Sequence, residues 1–307
     1  MKSMRAIRFS SFGPPDVLTY GTVDKPSPSD GQILIEVVAS GVNPADHKWR
    51  SGMFQQMVPL PMPHVLGYDV AGTVSAMGGT VEGLQLGDRV LAMLPPLTKG
   101  GYAEYAIAEA SAVCRLPDGF DLNLAASLPT AALTGVQLIN EHARPGPGDT
   151  ILITGALGAV GRFAMLAALD AGASVIAAVR PDQKDEALAL GASQALGLGE
   201  PLPKDLSINH LVDTVGGPDV AELARYVSDN GRILTVSTTP IDPAGLPVAP
   251  VFVTVRPDGP MLGQIVQRVA QGDLVPLPVR VMSLGEAAEA HRLMQAGGLR
   301  ARIVLKP

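Results

Sequence analysis

The sequence predicts an α/β chain: a doubly wound parallel sheet behind a β-rich first part, with a short tail that leaves the sheet. Three observations predict it. Asp149–Arg180, DTILITGALGAVGRFAMLAALDAGASVIAAVR, reads as strand, glycine turn, helix and strand. Residues 1 to about 118 hold many short apolar or alternating runs separated by Gly, Pro and Asp signals. From about Glu186 to Ser237, helix and strand patterns alternate, as a parallel sheet requires.

The glycine turn is the most specific feature. Ile151–Ile153 is a short apolar run, expected of a strand covered on both faces. Gly155, Gly158 and Gly161 follow at three-residue spacing, then a helical pattern ends at Gly172 and Ser174–Val179 forms a second strand. Glycine lets backbone bend tightly and approach a pyrophosphate, and the helix N-terminus behind it offers unpaired N–H groups. The backbone of Gly155, Leu157, Gly158, Ala159, Val160 and Gly161 is therefore the predicted dinucleotide cradle. Arg180 ends the second strand, with Lys184 one helical turn later, where an NAD site usually has Asp or Glu. Both cations suit a 2′-phosphate and predict NADPH. Asp182 is close enough to serve a 2′-hydroxyl, which leaves NADH open.

Composition narrows the class. A chain of 307 residues with 47% hydrophobic and 17% charged residues is globular and large enough for two cores. Its net charge of −6 gives no electrostatic reason for a nucleic-acid or anionic-membrane partner. Cys114 is the one cysteine, which excludes an internal disulfide framework and fits a reducing, cytoplasmic compartment. No run is long enough to span a bilayer. The start, MKSMRAIRF, has no apolar core and predicts no secretory signal.

Read in order, strands are expected at Met4–Phe9, Val17–Val23, Ile33–Ala39, Val70–Ala76, Arg89–Met93, Tyr102–Ala108 and Val113–Leu116. Together they predict a small, partly closed barrel. A helix is expected from about Leu122 to Glu141. Beyond the glycine turn come a helix over Glu186–Leu190, a strand over Leu211–Val215, a helix over Val220–Val227 and a strand over Ile233–Ser237. A helix over Pro260–Gly272 and a strand over Val279–Met282 follow. Ser283 and Glu286 then form a capping box for a helix to Gln295, before a last strand at Arg302–Leu305. Domain boundaries are placed at 1–120, 121–252 and 253–307, with the tail returning to the β-rich domain.

This organisation resembles the medium-chain dehydrogenase/reductase superfamily, and most of all its zinc-free quinone oxidoreductase branch. The segments that carry the resemblance are Ser40–Gly52, Val65–Val74, Gly87–Val90, Ser127–Gly135, Gly155–Gly161 and the ending EAAEAHRLMQAG with IVL. The resemblance implies a GroES-like β-barrel catalytic domain and a Rossmann NADPH-binding domain. It also implies a homodimer, paired through an edge near Ile233–Thr239 and Val251–Val255. Zinc members have Cys where Asn43 stands and Gly-His-Glu where Gly67-Tyr68-Asp69 stands. The five histidines are dispersed, and only His47 and His64 lie in the β-rich part, so no metal is expected.

Without a metal, hydrogen-bond donors must stabilise the oxygen of an acceptor as hydride reaches its electron-poor carbon. By resemblance Asn43 and Asp46 belong to the active-site loop. Lys48 occupies the position of a frequent family tyrosine, and Tyr68 that of the lost zinc histidine. Thr130, Val215, Ser237, Thr238, Phe252 and Thr254 are expected along the cofactor. The resulting expectation is zinc-independent, NADPH-dependent reduction of quinones or α,β-unsaturated carbonyls. The alternative is a non-catalytic NADPH-binding sensor or structural protein. A short-chain dehydrogenase is opposed, because no Tyr has a Lys four residues on.

Overall fold

The computed structural model describes residues 2–307 except Met57, Thr80 and Lys204. It contains two compact units: residues 1–130 with 256–307, and residues 131–255. The boundaries thus fall at Thr130 and Val255, where the sequence placed them at 120 and 252.

The first unit is mostly β. Strands β1 (Ser3–Phe9), β2 (Thr19–Asp24), β3 (Gln32–Gly41), β4 (His64–Val65), β5 (Asp69–Met77), β6 (Arg89–Met93), β7 (Tyr105–Glu109) and β8 (Val113–Arg115) belong to it. So do β15 (Val279–Ser283) and β16 (Arg302–Lys306) from the tail. One sheet runs β2-β1-β4; the other runs β15-β16-β3-β5-β6-β8, with β7 also on β3. The tail joins through antiparallel pairing of Val304 and Leu305 with Gly41 and Ser40. Strand β3 is the hub because its apolar side chains Ile33, Leu34, Ile35 and Val37 are all buried, as suits a strand paired along both edges.

The second unit is an all-parallel sheet of β9 (Thr150–Thr154), β10 (Ser174–Val179), β11 (Gln194–Gly197), β12 (Ile208–Asp213), β13 (Val227–Thr235) and β14 (Pro250–Phe252). Its order, β11-β10-β9-β12-β13-β14, reverses direction beside β9, so β9 and β12 flank the topological switch point. Side-chain alternation builds two cores. Ile151, Ile153, Val175, Ala177 and Val212 enter one, while Leu152, Ile176, Ala178 and Leu211 enter the other. No helix among the described residues is long and apolar enough to cross a membrane.

Several expected elements are corrected. The helix expected over Leu122–Glu141 is three pieces: α2 (Leu122–Ala126), α3 (Pro129–Gln137) and a π-helical segment over Leu138–Ala143. Pro129 accounts for the first break, since a residue before proline is disfavoured in helical conformation. Val17 closes a 3₁₀ turn, and the strand begins at Thr19. The strand expected over Leu211–Val215 ends at Asp213, and the next one starts at Val227 and runs through Gly231. Helix α1 (Pro44–Arg50) and the short strands β4 and β11 were not anticipated. Helices α4 (Ala159–Asp170), α5 (Lys184–Ala189), α6 (Pro218–Ala224), α7 (Gly259–Gln271) and α8 (Ala287–Ala296) complete the chain.

Candidate functional site

In the first unit, Asn43 caps α1, with Pro44 at the first helical position. Asp46 reaches back to accept from the Asn43 N–H at 2.7 Å and from the Gly67 N–H at 3.0 Å. One carboxylate thereby pins the α1 loop to the segment before β5. The Asn43 amide is engaged at both ends: Nδ2 donates to Asp69 Oδ2 at 2.9 Å, and Oδ1 accepts from Arg302. Asp69 Oδ1 also accepts from the Thr130 N–H at 2.8 Å and its hydroxyl at 2.6 Å. Asn43, Asp46, Asp69, Thr130 and Arg302 therefore form one network, with Asn43, Asp46 and Asp69 buried and Thr130 and Arg302 partly so.

Burial dominates the electrostatics of this network. It pushes the Asp46 carboxyl up to about 7, against the two backbone donors that favour its anion, and the charge of Asp69 adds to the rise. Burial raises the Asp69 carboxyl as well, opposed by Thr130, Asn43 and Arg302. Tyr102 is fully buried, bonds to Asp46 and lies 3.2 Å from His291 Nε2.

Lys48 and Tyr68 differ from that network. Lys48 is half-buried on α1, and burial lowers the pKa of its ammonium. The Tyr68 hydroxyl is buried and has no hydrogen-bond partner among the described residues. Of the polar groups expected in this loop, these two retain unengaged donors.

In the second unit, the glycine turn leaves β9 and opens α4. Gly155 has φ +62°, a left-handed conformation, and a Cβ there would lie 2.5 Å from Thr214 Oγ1. Gly158 is the N-cap of α4, exposed and without a side-chain cap. The N–H groups of Ala159, Val160 and Gly161 thus point from the first turn with no side-chain acceptor, as an anion site needs. The Leu157 side chain is in the core, so only its backbone can serve the cradle. Arg162, not anticipated, braces the turn by donating to Leu157 O at 3.0 Å and to Glu186.

At the end of β10, the Arg180 side chain is 50% exposed and 3.8 Å from Asp182. Lys184 is held by Glu200 at 2.7 Å, which offsets part of the expected positive charge. Val215, Ser237 and Thr238 lie just beyond the carboxyl ends of β12 and β13; Phe252 ends β14, and Thr254 is exposed two residues on. The residues present fit a dinucleotide.

A parallel sheet with a glycine turn at its switch point, in a chain that also builds a β-rich unit around a polar loop, defines a nucleotide-dependent dehydrogenase or reductase. The chain belongs to the medium-chain dehydrogenase/reductase family, whose members depend on a nicotinamide dinucleotide. Residues 29–118 match the family described as alcohol dehydrogenase GroES-like domain, and residues 190–305 match zinc-binding dehydrogenase. The chain is 32% identical over 317 residues to a 2-methylene-furan-3-one reductase of Solanum lycopersicum, covering 99% of this chain and 79% of that protein. It is 30% identical over 251 residues to a chloroplastic quinone-oxidoreductase homolog of Spinacia oleracea, covering 78% and 76%. The structure of a quinone oxidoreductase from Coxiella burnetii is similar over 100% of both chains, with a TM-score of 0.87 and 29% identity.

Among the described residues no group of three or more His, Cys, Asp or Glu side chains could hold a metal. His47 is half-buried on α1; His64 is buried on β4, edge-on to Phe9. Sequence reading missed Asp69 and Arg302 as network members. Asp69 was within sight, one residue after Tyr68, but Arg302 is 259 residues from Asn43 and no spacing rule joins them.

Proposed function

We propose that the protein is a zinc-independent, NADPH-dependent reductase of quinones or α,β-unsaturated carbonyls. The carrying observation is the uncapped glycine turn at the switch point, in a chain similar to quinone and enone reductases. When bound, the dinucleotide supplies hydride. The chain's residues hold its pyrophosphate on the α4 N-terminus and donate to the acceptor oxygen as it gains charge. Lys48 and Tyr68 are the donors for that oxygen, because Asn43 and Asp46 are committed to the buried network. A second copy of the chain is the proposed partner. Strand β14 is a free edge of the parallel sheet, and Val251 and Phe252 on it are exposed. A reducing, cytoplasmic setting suits the single cysteine.

The test is loss of nicotinamide absorbance with a benzoquinone, a naphthoquinone, an enone and an aldehyde, each with NADPH or NADH and with a chelator. Chelator-resistant turnover of a quinone or enone is expected. Activity confined to the aldehyde and stopped by chelator would overturn the zinc-independent assignment. Dinucleotide binding with no turnover would point to the sensor. In the same assay Lys48→Met is expected to lower kcat/KM for the acceptor by about tenfold, less than the roughly hundredfold or more of a fully positioned acid–base group, because the ammonium is partly solvated.

The preference for NADPH rests on Arg180. One charge-assisted hydrogen bond to a phosphate is worth about 1.5–3 kcal/mol. Arg180→Ala is expected to raise KM for NADPH by at least about tenfold while moving KM for NADH much less. Equal changes for both dinucleotides would show that Arg180 does not read the 2′-phosphate.

A further inference from the structure

We infer that Asp213, fully buried at the carboxyl end of β12, is the positioning residue that sets the loops of the dinucleotide site, an inference that rests on the function proposed above. Its carboxylate accepts four hydrogen bonds. Oδ1 takes the Thr154 hydroxyl at 2.6 Å, the Val215 N–H at 2.9 Å and the Gly216 N–H at 2.8 Å, and Oδ2 takes the Thr235 hydroxyl at 2.6 Å. Thr154, Asp213 and Thr235 end β9, β12 and β13, so one side chain ties together three strand ends on the carboxyl edge. That edge is where ligands of open parallel sheets bind.

Each bond is passed on to a loop. Thr154 Oγ1 accepts from the Thr214 N–H at 3.0 Å, and the Thr214 hydroxyl donates to Thr154 O at 2.8 Å. That hydroxyl is the atom a Cβ at Gly155 would meet, so it lies directly against the glycine turn. Thr235 Oγ1 accepts from the Ser237 N–H at 3.0 Å, and the Ser237 hydroxyl closes the circuit on Val215 O at 2.8 Å. Asp213 touches none of the expected cofactor contacts except the Val215 backbone, yet it fixes Gly155, Val215 and Ser237 through its partners.

The chemistry requires a carboxylate. Only an acid side chain can accept at both oxygens; an amide would present N–H to Thr235. The Thr235 oxygen would then accept a second N–H beside that of Ser237, and its own proton would lose the carboxylate it now donates to. Asp213→Asn keeps the shape and the Oδ1 bonds while removing the acceptor that orients the Thr235 hydroxyl.

Titration of the purified full chain with NADPH and separately with NADH, followed by nicotinamide fluorescence, tests the assignment. Asp213→Asn and Thr235→Val are each expected to weaken dinucleotide binding by about tenfold, the loss expected when one bond to a charged acceptor goes. KM for the dinucleotide should rise in step, while kcat at saturating dinucleotide moves less than about threefold, because loop placement acts on binding. Thr235→Ser, which keeps the hydroxyl, should bind several-fold more tightly than Thr235→Val; a merely structural role would not follow the hydroxyl in this way. If Asp213→Asn does not fold, the two Thr235 variants decide. Folded variants that bind as the wild type does would overturn the positioning role alone. A wild-type chain that binds neither dinucleotide would overturn the functional reading, and this inference with it.

Discussion

Gly161→Ala is expected to weaken dinucleotide binding by about a hundredfold, roughly 2.7 kcal/mol, and to destabilise the second unit as well. A Cβ at Gly161 would lie 2.2 Å from Gly155 O and 2.6 Å from Ala156 Cα, both backbone atoms that cannot rotate away. Helix α4 would have to lift from the turn that it packs on. Overpacking of this kind costs about 1–3 kcal/mol. The turn would then no longer aim its N–H groups at one point. Gly158→Ala provides the contrast. Its Cβ would meet only Gly155 O, at 3.0 Å, and the residue is exposed with φ −72°, which alanine adopts freely. That variant is expected to keep the wild-type unfolding midpoint while losing affinity, since the methyl group intrudes where a pyrophosphate would approach. Urea unfolding and NADPH titration on both variants check the pair. If Gly161→Ala binds within about threefold of wild type, a difference under 1 kcal/mol, the close-packing argument is wrong.

The sequence disclosed what is written locally. Strand β10 and strand β6 fall where alternation and turn signals placed them, and the glycine turn announces itself through spacing alone. The parts it hid depend on distant partners. Helix α1 has few apolar positions and is held by Asn43, Pro44 and Asp46, a cap rather than a periodic stripe. Strand β11 has only four residues and exists through pairing with β10. At the candidate site, motif reading found the loop but not the partners of the Asn43 amide. The structure commits that amide to Asp69 and Arg302, because a buried carboxylate and a buried guanidinium must be satisfied before anything else can be. Asp213 escaped for the same reason: its importance lies in four partners from three strand ends, and a sequence shows only one aspartate after a strand.

Asp69→Ala is expected to destabilise the first unit by about 3–5 kcal/mol, the cost of removing one member of a buried charged network. Asp69 is fully buried, and its loss strands several groups at once. The Thr130 N–H and hydroxyl lose their acceptor, and Asn43 Nδ2 loses another. Arg302, 11% exposed at its side chain and 4.0 Å from Asp69, keeps its charge with only the weaker influence of Asp46 and Tyr102 to favour it. Burial already opposes ionisation of Arg302, so removal of the nearer carboxylate adds to an existing penalty. The opposite argument is that Asp69 and Asp46 repel, so deleting one relieves the other. Magnitudes decide between them. The repulsion acts between groups that share a cation, whereas the deletion takes a carboxylate acceptor from three donors, at about 1–3 kcal/mol each. Destabilisation should win. Urea unfolding of Asp69→Ala, Arg302→Met and the double variant measures it, and the double variant should be less destabilised than the sum of the singles. A cost below about 1 kcal/mol for Asp69→Ala would mean that water or a rearranged side chain replaces the carboxylate. The network would then be a loose polar cluster, and the loop that carries Lys48 would lack the rigid support assigned to it.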